Sequence, residues 1–183
     1  VYGESPYALP PDAFPDDPFL PLAGEWAGET SPYGPVWELL ATGVTRLSGE
    51  NLLAGLLAFK LIGLLAHLTC GWLIWQQLAH ANPARQRGFT LLWLWNPALL
   101  LMFVVDGHND VLMMVWQLVA LWFWRQERPS ATLLFLLLGA LTKPIGLLPL
   151  PFFALAAWHD LPIRQDRLRV LAWTAVLGGT AVW

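Results

Sequence analysis

The chain has 183 residues, of which 56% are hydrophobic and 13% charged, and its formal net charge is −3. A soluble domain carries about 25% charged residues, so the composition excludes an ordinary globular domain, and no nucleic-acid partner is expected. The single cysteine, Cys70, excludes an intrachain disulfide. The chain starts at Val1 without an initiator methionine and ends at Trp183 inside an apolar run, which predicts a fragment of a longer protein truncated at both ends.

Residues 1–50 are rich in proline, glycine and acidic side chains, with turn signals such as Asp17-Pro18. They also contain several Tyr, Trp and Phe residues, whereas disordered segments are poor in aromatics. The pattern therefore predicts an ordered extracytoplasmic loop. Within it, the apolar spacing over 36–47 predicts an interfacial or re-entrant helix. Asp16 and Asp17 are candidate acids, although turn formation before Pro18 explains them adequately.

Residues 51–183 are predicted to form a polytopic transmembrane helical bundle, and Asn51 is a candidate cap for its first helix. The predicted spans are 52–78, 89–105, 111–124, a hairpin at 131–158 and the start of a further span at 170–183. A basic connection is expected at 80–87. Asn96-Pro97 predicts a kink in which the asparagine side chain takes up a carbonyl freed by proline.

The distribution of charge predicts the orientation of the spans. The first 50 residues are acidic, and the connections at 80–87 and 125–128 are basic. Because Lys and Arg accumulate on the cytoplasmic side, the acidic loop is expected outside the cell. A hairpin at 131–158 returns the Arg164–Arg169 cluster to the inside, whereas a single span would place it outside. The hairpin also brings Lys143 to the outer face.

A polar pentapeptide, Asp106-Gly107-His108-Asn109-Asp110, separates two strongly apolar runs. Ionisable groups at a membrane edge are costly and usually functional. Asp106 or Asp110 could act as a general base on a sugar hydroxyl, or both could bind a divalent cation. Alternatively, Asn109 or Asp110 simply caps the next helix. His108 fits contact with a sugar or phosphate better than metal ligation, because no second ligand follows at zinc spacing. No metal site and no cofactor are predicted.

Two lysines lie within apolar stretches. Lys143 is a candidate contact for a lipid-linked phosphate, although snorkelling towards an interface is the simpler alternative. Lys60 needs an anionic partner or a route to water and is a second candidate phosphate contact. Tyr33 and Trp37 are candidate platforms for a sugar ring, and packing of the loop on the helices explains them equally well.

Five motifs occur in a fixed order along the chain. They are Ser5-Pro6-Tyr7, Ser31-Pro32-Tyr33-Gly34-Pro35-Val36-Trp37, Trp95-Asn96-Pro97, Gly107-His108-Asn109-Asp110 and Leu141-Thr142-Lys143-Pro144. The ordered set resembles the GT-C superfamily of integral-membrane glycosyltransferases, specifically the bacterial polyprenyl-phosphate-mannose-dependent mannosyltransferases. The resemblance covers nearly the whole chain.

The resemblance implies a multi-pass protein of the cell membrane that transfers a hexose, with mannose expected, from a polyprenyl-phosphate donor to a glycan or glycolipid acceptor. It also implies inversion at the sugar and an extracytoplasmic active site. Members of the superfamily carry a catalytic Asp or Glu in the first external loop, so the principal base is either upstream of Val1 or among Asp106 and Asp110. His108, Asn109 and Lys143 are the implied substrate-binding residues. A transporter or flippase of lipid-linked or small anionic substrates is the alternative.

Overall fold

The computed structural model describes residues 3–160 and residue 172, and the described part of the chain contains helices, turns and loops but no strand. It therefore agrees with the all-helical fold class. The predicted span from 170 onwards lies outside the described residues, apart from residue 172. The chain divides into two compact units, Val1–Tyr33 and Gly34–Trp183.

The first unit is a folded loop with short helical turns. These are 3-10 helices at Pro11–Ala13 and Gly24–Trp26, and α1 at Leu20–Ala23. Its two ends are joined by backbone hydrogen bonds, since the Asp12 N–H donates to the Ala27 carbonyl at 2.9 Å and the Ser31 N–H to the Pro6 carbonyl at 2.9 Å. The Asp17 carboxylate accepts the Phe19 N–H at 2.7 Å, which is the turn role expected for it.

The second unit contains the long apolar helices. They are α2 (Pro35–Ser48), α3 (Leu52–Ala81), α4 (Pro83–Leu94), α5 (Pro97–Leu100), a π-helix (Leu101–Val105), α6 (Asp110–Trp124), α7 (Pro129–Thr142), a 3-10 helix (Pro144–Leu147) and α8 (Leu150–Asp160). Asn51 caps α3 as predicted, because its side-chain oxygen accepts the Ala54 N–H at 3.0 Å. The expected connection at 80–87 is wrong: only Asn82 separates α3 from α4.

The kink at Asn96-Pro97 is present, but its chemistry differs from the prediction. The Asn96 side-chain oxygen accepts the Ala98 N–H at 3.0 Å and so caps α5, instead of donating to a freed carbonyl. Nε2 of His67 lies 3.4 Å from the carbonyl oxygen of Leu94. The segments Gln86–Leu94 and Pro97–Val105 are bent by 43° at this break.

Side-chain contacts fix the directions of the helices. Cys70 Sγ lies 3.8 Å from the Val111 carbonyl, and Gln77 Nε2 donates to the Leu118 carbonyl at 3.1 Å, so α3 and α6 run parallel. Helix α4 returns antiparallel to α3, because the Trp93 indole donates to the His67 carbonyl at 3.0 Å. The N-terminal ends of α3 and α6 therefore lie on one side, and the basic segments 80–87 and 125–128 on the other.

The chain reverses direction after α7. Gly146 lies so close to the backbone of Gly139 that a Cβ there would stand 2.7 Å from the Gly139 carbonyl carbon. Leu150 then joins Leu136 in one buried cluster, and Phe153 packs edge-on against Trp124 with ring centroids 5.5 Å apart. Helix α8 thus packs beside α7 and reaches Trp124, the last residue of α6. The membrane hairpin over 131–158 stays a prediction.

By length and apolar composition, one helix of the described residues, α3 with 30 residues, could cross a membrane. The bent pair Gln86–Leu94 and Pro97–Val105 becomes a second candidate if it is taken as one span. Helices α6 and α7 are apolar but shorter, at 15 and 14 residues. A multi-pass bundle remains a prediction for the complete protein.

A close backbone contact joins α3 to the π-helix. A Cβ on Gly63 would stand 2.2 Å from the carbonyl oxygen of Phe103. The buried residues around this contact, Ala66, Cys70, Leu73, Phe103, Val111 and Val115, form one core cluster. The glycine at position 63 therefore sets how near the π-helix, and the loop that follows it, can lie to α3.

Candidate functional site

The candidate site is built around an ion pair between the start of α6 and the end of α7. Lys143 Nζ lies 2.8 Å from Asp110 Oδ1 and 2.9 Å from Oδ2, so the ammonium bridges both carboxylate oxygens. The two side chains are 29% and 28% exposed. A partly shielded, bidentate pair of this kind holds the lysine in one direction more firmly than a pair in open water.

Helix geometry explains why these two residues meet. Asp110 is in the first turn of α6, where a carboxylate is favoured by the helix dipole. Lys143 follows the last residue of α7 and has an extended backbone, with φ −151° and ψ 129°. Extended geometry is what the following Pro144 requires. Since α6 and α7 pack side by side, Asp110 and Lys143, which the sequence predicted at the same outer face of the membrane, are in direct contact.

The loop from Asp106 to Asn109 is shaped by the π-helix before it and by Gly107. The Asp106 N–H donates to the Leu101 carbonyl at 2.8 Å, and the His108 N–H donates to the Met102 carbonyl at 3.1 Å. Gly107 has a φ of 73°, a left-handed conformation that favours glycine. The loop thus turns sharply at Gly107, so Asp106 and Asp110 do not lie on one face of a continuous helix.

The two candidate carboxylates have different surroundings. Asp110 is engaged by Lys143, whereas the Asp106 carboxylate is exposed and has no hydrogen-bond or ion-pair partner among the described residues. The His108 side chain is 56% exposed, and its Nδ1 lies 4.0 Å from Asp110 Oδ2. Asp106 therefore has free oxygens with which to accept a proton or a hydroxyl, while Asp110 is committed to the lysine.

Asn109 lies at the N-cap position of α6, but its side chain makes no capping hydrogen bond. The alternative that Asn109 caps the helix through its side chain is therefore wrong. The residue is 6% exposed, and its Nδ2 has no partner among the described residues. Its part in substrate binding stays a prediction.

Lys60 lies beside the same loop. Its Nζ donates to the carbonyl oxygen of Val105, the last residue of the π-helix. The partner of Lys60 among the described residues is therefore a backbone carbonyl at a helix end, where positive charge is favoured, and not the anionic group that was expected. Lys60 anchors the start of the Asp106 loop, and a direct contact with phosphate stays a prediction.

Helix α2 lies across α3 and α7 at this end. The Gly34 N–H donates to the Thr142 carbonyl at 3.1 Å, and a Cβ on Gly34 would stand 2.0 Å from the Leu141 carbonyl oxygen. Trp37 is half-buried and packs on Phe59 with centroids 5.7 Å apart. Tyr33 belongs to the first unit, where its N–H donates to the Ser31 hydroxyl at 3.3 Å. Sugar stacking by either aromatic residue remains a prediction.

Sequence reasoning missed two residues that hold the end of α7. Thr142 is fully buried, and its hydroxyl accepts the Trp116 indole N–H at 3.1 Å. The available signal was the position of Thr142 directly before Lys143 in the Leu-Thr-Lys-Pro motif. Nothing in the sequence pairs Trp116 with it, because the two residues meet only through the packing of α6 on α7.

The described residues contain no group of three or more His, Cys, Asp or Glu side chains that could hold a metal ion. Both oxygens of Asp110 are already bound by Lys143.

A groove of about 450 Å³ lies elsewhere, between α3, α4 and α6. Its lining is mainly apolar and includes Leu78, Phe89 and Leu118, with Arg125 also in the wall. Arg125 follows the C-terminal end of α6, whereas Asp110 begins that helix. The groove is therefore separate from the polar site.

An all-helical, strongly apolar chain that gathers a carboxylate–lysine pair and a polar loop at one end fits the class of integral-membrane glycosyltransferases that its motifs resemble. Residues 1–159 match the family described as Alpha-(1->6)-mannopyranosyltransferase, N-terminal domain. The chain belongs to this family.

Curated relatives carry the same description. The chain is 26% identical over 161 residues to Alpha-(1->6)-mannopyranosyltransferase A of Corynebacterium glutamicum, covering 86% of this chain and 32% of that protein. It is 29% identical over 175 residues to Alpha-(1->6)-mannopyranosyltransferase A of Mycobacterium tuberculosis, covering 94% and 33%. The chain thus spans about a third of the length of these relatives. No solved structure matches it significantly. The relatives favour a glycosyltransferase over the transporter alternative.

Proposed function

We propose that the full-length protein transfers mannose from a polyprenyl-phosphate donor to a glycan or glycolipid acceptor at the extracytoplasmic face of the cell membrane. The single observation that carries the proposal is the ion pair of Lys143 with Asp110 beside the exposed Asp106 loop. It supplies a fixed positive charge, and the loop that leads to Asp110 carries the exposed carboxylate of Asp106. Transfer from a phosphate-linked sugar needs both groups.

Lys143 and Asp106 act on opposite sides of the reacting carbon. The acceptor hydroxyl oxygen forms a bond to the anomeric carbon while the bond from that carbon to the donor phosphate oxygen breaks. The hydroxyl proton passes to a carboxylate, for which Asp106 is the free candidate in this part of the protein. The departing lipid phosphate gains negative charge, which Lys143 stabilises. Attack opposite to the leaving phosphate inverts the sugar.

Asp110 has a different role in this scheme. Because Lys143 lies within hydrogen-bond distance of both its oxygens, Asp110 fixes the ammonium and moderates its charge until the phosphate arrives. An incoming phosphate then shares the ammonium with Asp110. In this scheme His108, whose Nδ1 lies 4.0 Å from Asp110 Oδ2, donates a hydrogen bond to the sugar or phosphate.

The direction of the helices supports the extracytoplasmic assignment. Arg85 and Arg87 near the start of α4, and Arg125 and Arg128 between α6 and α7, lie at the end of the bundle opposite to Asp110 and Lys143. Positive residues accumulate on the cytoplasmic side of membrane proteins. We therefore assign the site to the outer face, where no nucleotide-linked sugar is available and a lipid must carry the donor.

The proposal is tested with Lys143→Met in the full-length enzyme, which removes the charge and keeps the apolar stem. We expect transfer from polyprenyl-phosphate mannose to fall at least about a hundredfold, since loss of a charged transition-state contact is worth 10²–10³ in rate. Arg46→Met, an exposed change on α2, is the matched control. Normal transfer by Lys143→Met at wild-type expression would overturn the proposal.

A charge exchange separates chemistry from folding. The double variant Asp110→Lys with Lys143→Asp keeps an ion pair but moves the positive charge to α6. We expect it to fold better than either single variant and to remain inactive. Recovery of transfer in the exchanged pair would show that the pair is only structural and would remove the phosphate role of Lys143.

A further inference from the structure

The direction of the Lys143 side chain depends on the residue before it. Lys143 stands between the last residue of α7 and Pro144, so no helix continues through it. Because a lysine side chain has four rotatable bonds, its ammonium has a defined position only when both the backbone that carries it and the partner of the ammonium, here Asp110, are fixed. How firmly the Lys143 backbone is held therefore depends on the contacts of Thr142, the residue before it.

Thr142 is fixed by partners from three directions. Its hydroxyl accepts the Trp116 indole N–H at 3.1 Å and donates to the Leu138 carbonyl at 2.8 Å. Its own carbonyl accepts the Gly34 N–H at 3.1 Å. The residue is 0% exposed. These bonds tie the end of α7 to α6 and to the start of α2.

Helix α6 contributes to the site at two points. Asp110 binds the Lys143 ammonium. Trp116, about two turns further along α6, donates its indole N–H to the hydroxyl of Thr142. A rigid helix thus holds both ends of the Thr142–Lys143 unit. The Trp116 ring is itself stacked on Phe135 of α7, with centroids 6.0 Å apart and planes at 27°.

We propose that Trp116 and Thr142 are positioning residues that fix Lys143 for the phosphate of the lipid donor. The inference rests on the proposed role of Lys143. It adds that the Trp116–Thr142 hydrogen bond, which touches neither sugar nor acceptor, sets how well the ammonium meets the donor.

The test measures donor and acceptor KM separately in the full-length enzyme. Trp116→Phe keeps an aromatic ring for stacking on Phe135 and loses the N–H donor. Thr142→Val keeps the branched shape and loses the hydroxyl. Both variants lose the Trp116–Thr142 hydrogen bond, and Thr142→Val also loses the bond to the Leu138 carbonyl. Each is expected to raise the donor KM about threefold to tenfold, the usual effect of losing the shared bond, with acceptor KM unchanged. Thr142→Ser, which retains the hydroxyl, is expected to restore the wild-type donor KM.

Two further variants sharpen the test. Combining Trp116→Phe with Thr142→Val should raise the donor KM no more than the larger single effect, because both remove the same bond. Trp122→Phe is the matched control, since Trp122 is an exposed residue of the same helix. It should leave both KM values unchanged.

Each outcome decides between the two proposals. If Lys143→Met transfers normally, the proposed function fails whatever the Trp116 variants do. If Lys143→Met is inactive while Trp116→Phe and Thr142→Val keep the wild-type donor KM, only the positioning inference fails. If Trp116→Phe and Thr142→Val instead raise the donor and acceptor KM alike, and Thr142→Ser does not keep the wild-type donor KM, the two residues are merely structural. That result overturns the inference.

Discussion

The contact between Gly63 and the π-helix gives the most direct test of the packing that places the site. Gly63 lies on α3, and the Phe103 carbonyl precedes the Asp106 loop. A methyl group added by Gly63→Ala would stand 2.2 Å from the Phe103 oxygen, whereas ordinary contact begins at about 3.4 Å. The group that this methyl would meet is backbone, which cannot move aside as the end of a flexible side chain can. The helix and the π-helix must therefore separate by roughly 1 Å, within a packed core.

The expected cost follows from two opposing effects. Overpacking a well-packed core destabilises by about 1–3 kcal/mol, whereas replacing a helical glycine by alanine stabilises by about 0.5–1 kcal/mol. Gly88→Ala isolates the second effect, because Gly88 lies in α4 with nothing within 4 Å of its added Cβ. The difference between the two variants should therefore be about 1–3 kcal/mol, with Gly63→Ala the less stable.

The assay is thermal unfolding of the detergent-purified full-length protein, followed by intrinsic tryptophan fluorescence. A difference of 1–3 kcal/mol corresponds to several degrees in apparent Tm, at about 2–4 °C per kcal/mol for a domain of this size. Mannosyl transfer should fall with Gly63→Ala, because the shift moves the Asp106 loop. Equal Tm values for the two alanine variants would refute the close contact and the reasoning built on it.

Four further outcomes follow from single contacts. Asn51→Ala should lower the stability of α3 by about 1 kcal/mol, the usual value of an N-cap, and Asn51→Asp should not; a denaturation series that ranks the two alike would contradict the cap. Cys70, at 0% exposure, should resist maleimide in the native protein and react after denaturation; rapid native labelling would show that the core opens. Lys60→Met should speed hydrogen exchange at 106–109, because it releases the Val105 carbonyl, and unchanged exchange would remove its anchoring role. His108→Ala should reduce transfer less than Lys143→Met, because the His108 side chain is half-exposed and its Nδ1 lies as far as 4.0 Å from Asp110 Oδ2. An equal loss in kcat/KM would show that the imidazole contributes as much to transfer as the lysine.

Much of the local structure could be predicted because it depends on neighbours in the sequence. The cap at Asn51 follows from a polar residue before an apolar helical run. The turn at Gly107 follows from a glycine among polar residues. The break before Pro144 follows from the missing N–H of proline and the extended conformation it imposes on Lys143.

Where the sequence misled, two local solutions were nearly equal and packing chose between them. An asparagine before proline can donate to a freed carbonyl or accept a nearby N–H, and Asn96 does the second, accepting the Ala98 N–H, while His67 of α3 lies near the Leu94 carbonyl. Likewise, the polar stretch at 80–87 looked like a connection, yet all of it except Asn82 is helical. Pro83 at the first helical position of α4 allows a new helix to begin there.

By itself, the sequence determined the helical class, the apolar character of the chain, the ordered motifs that place it in its family, and the segregation of acidic from basic segments. Each of these is a property of residue types and their short-range order. Only the tertiary structure decided that Asp110 binds Lys143, that Asp106 is left free, and that Trp116 holds Thr142. Those contacts join residues far apart in the chain, and their distances depend on how closely α3, α6 and α7 can approach, which is set by side-chain volume and by glycines at the contact points.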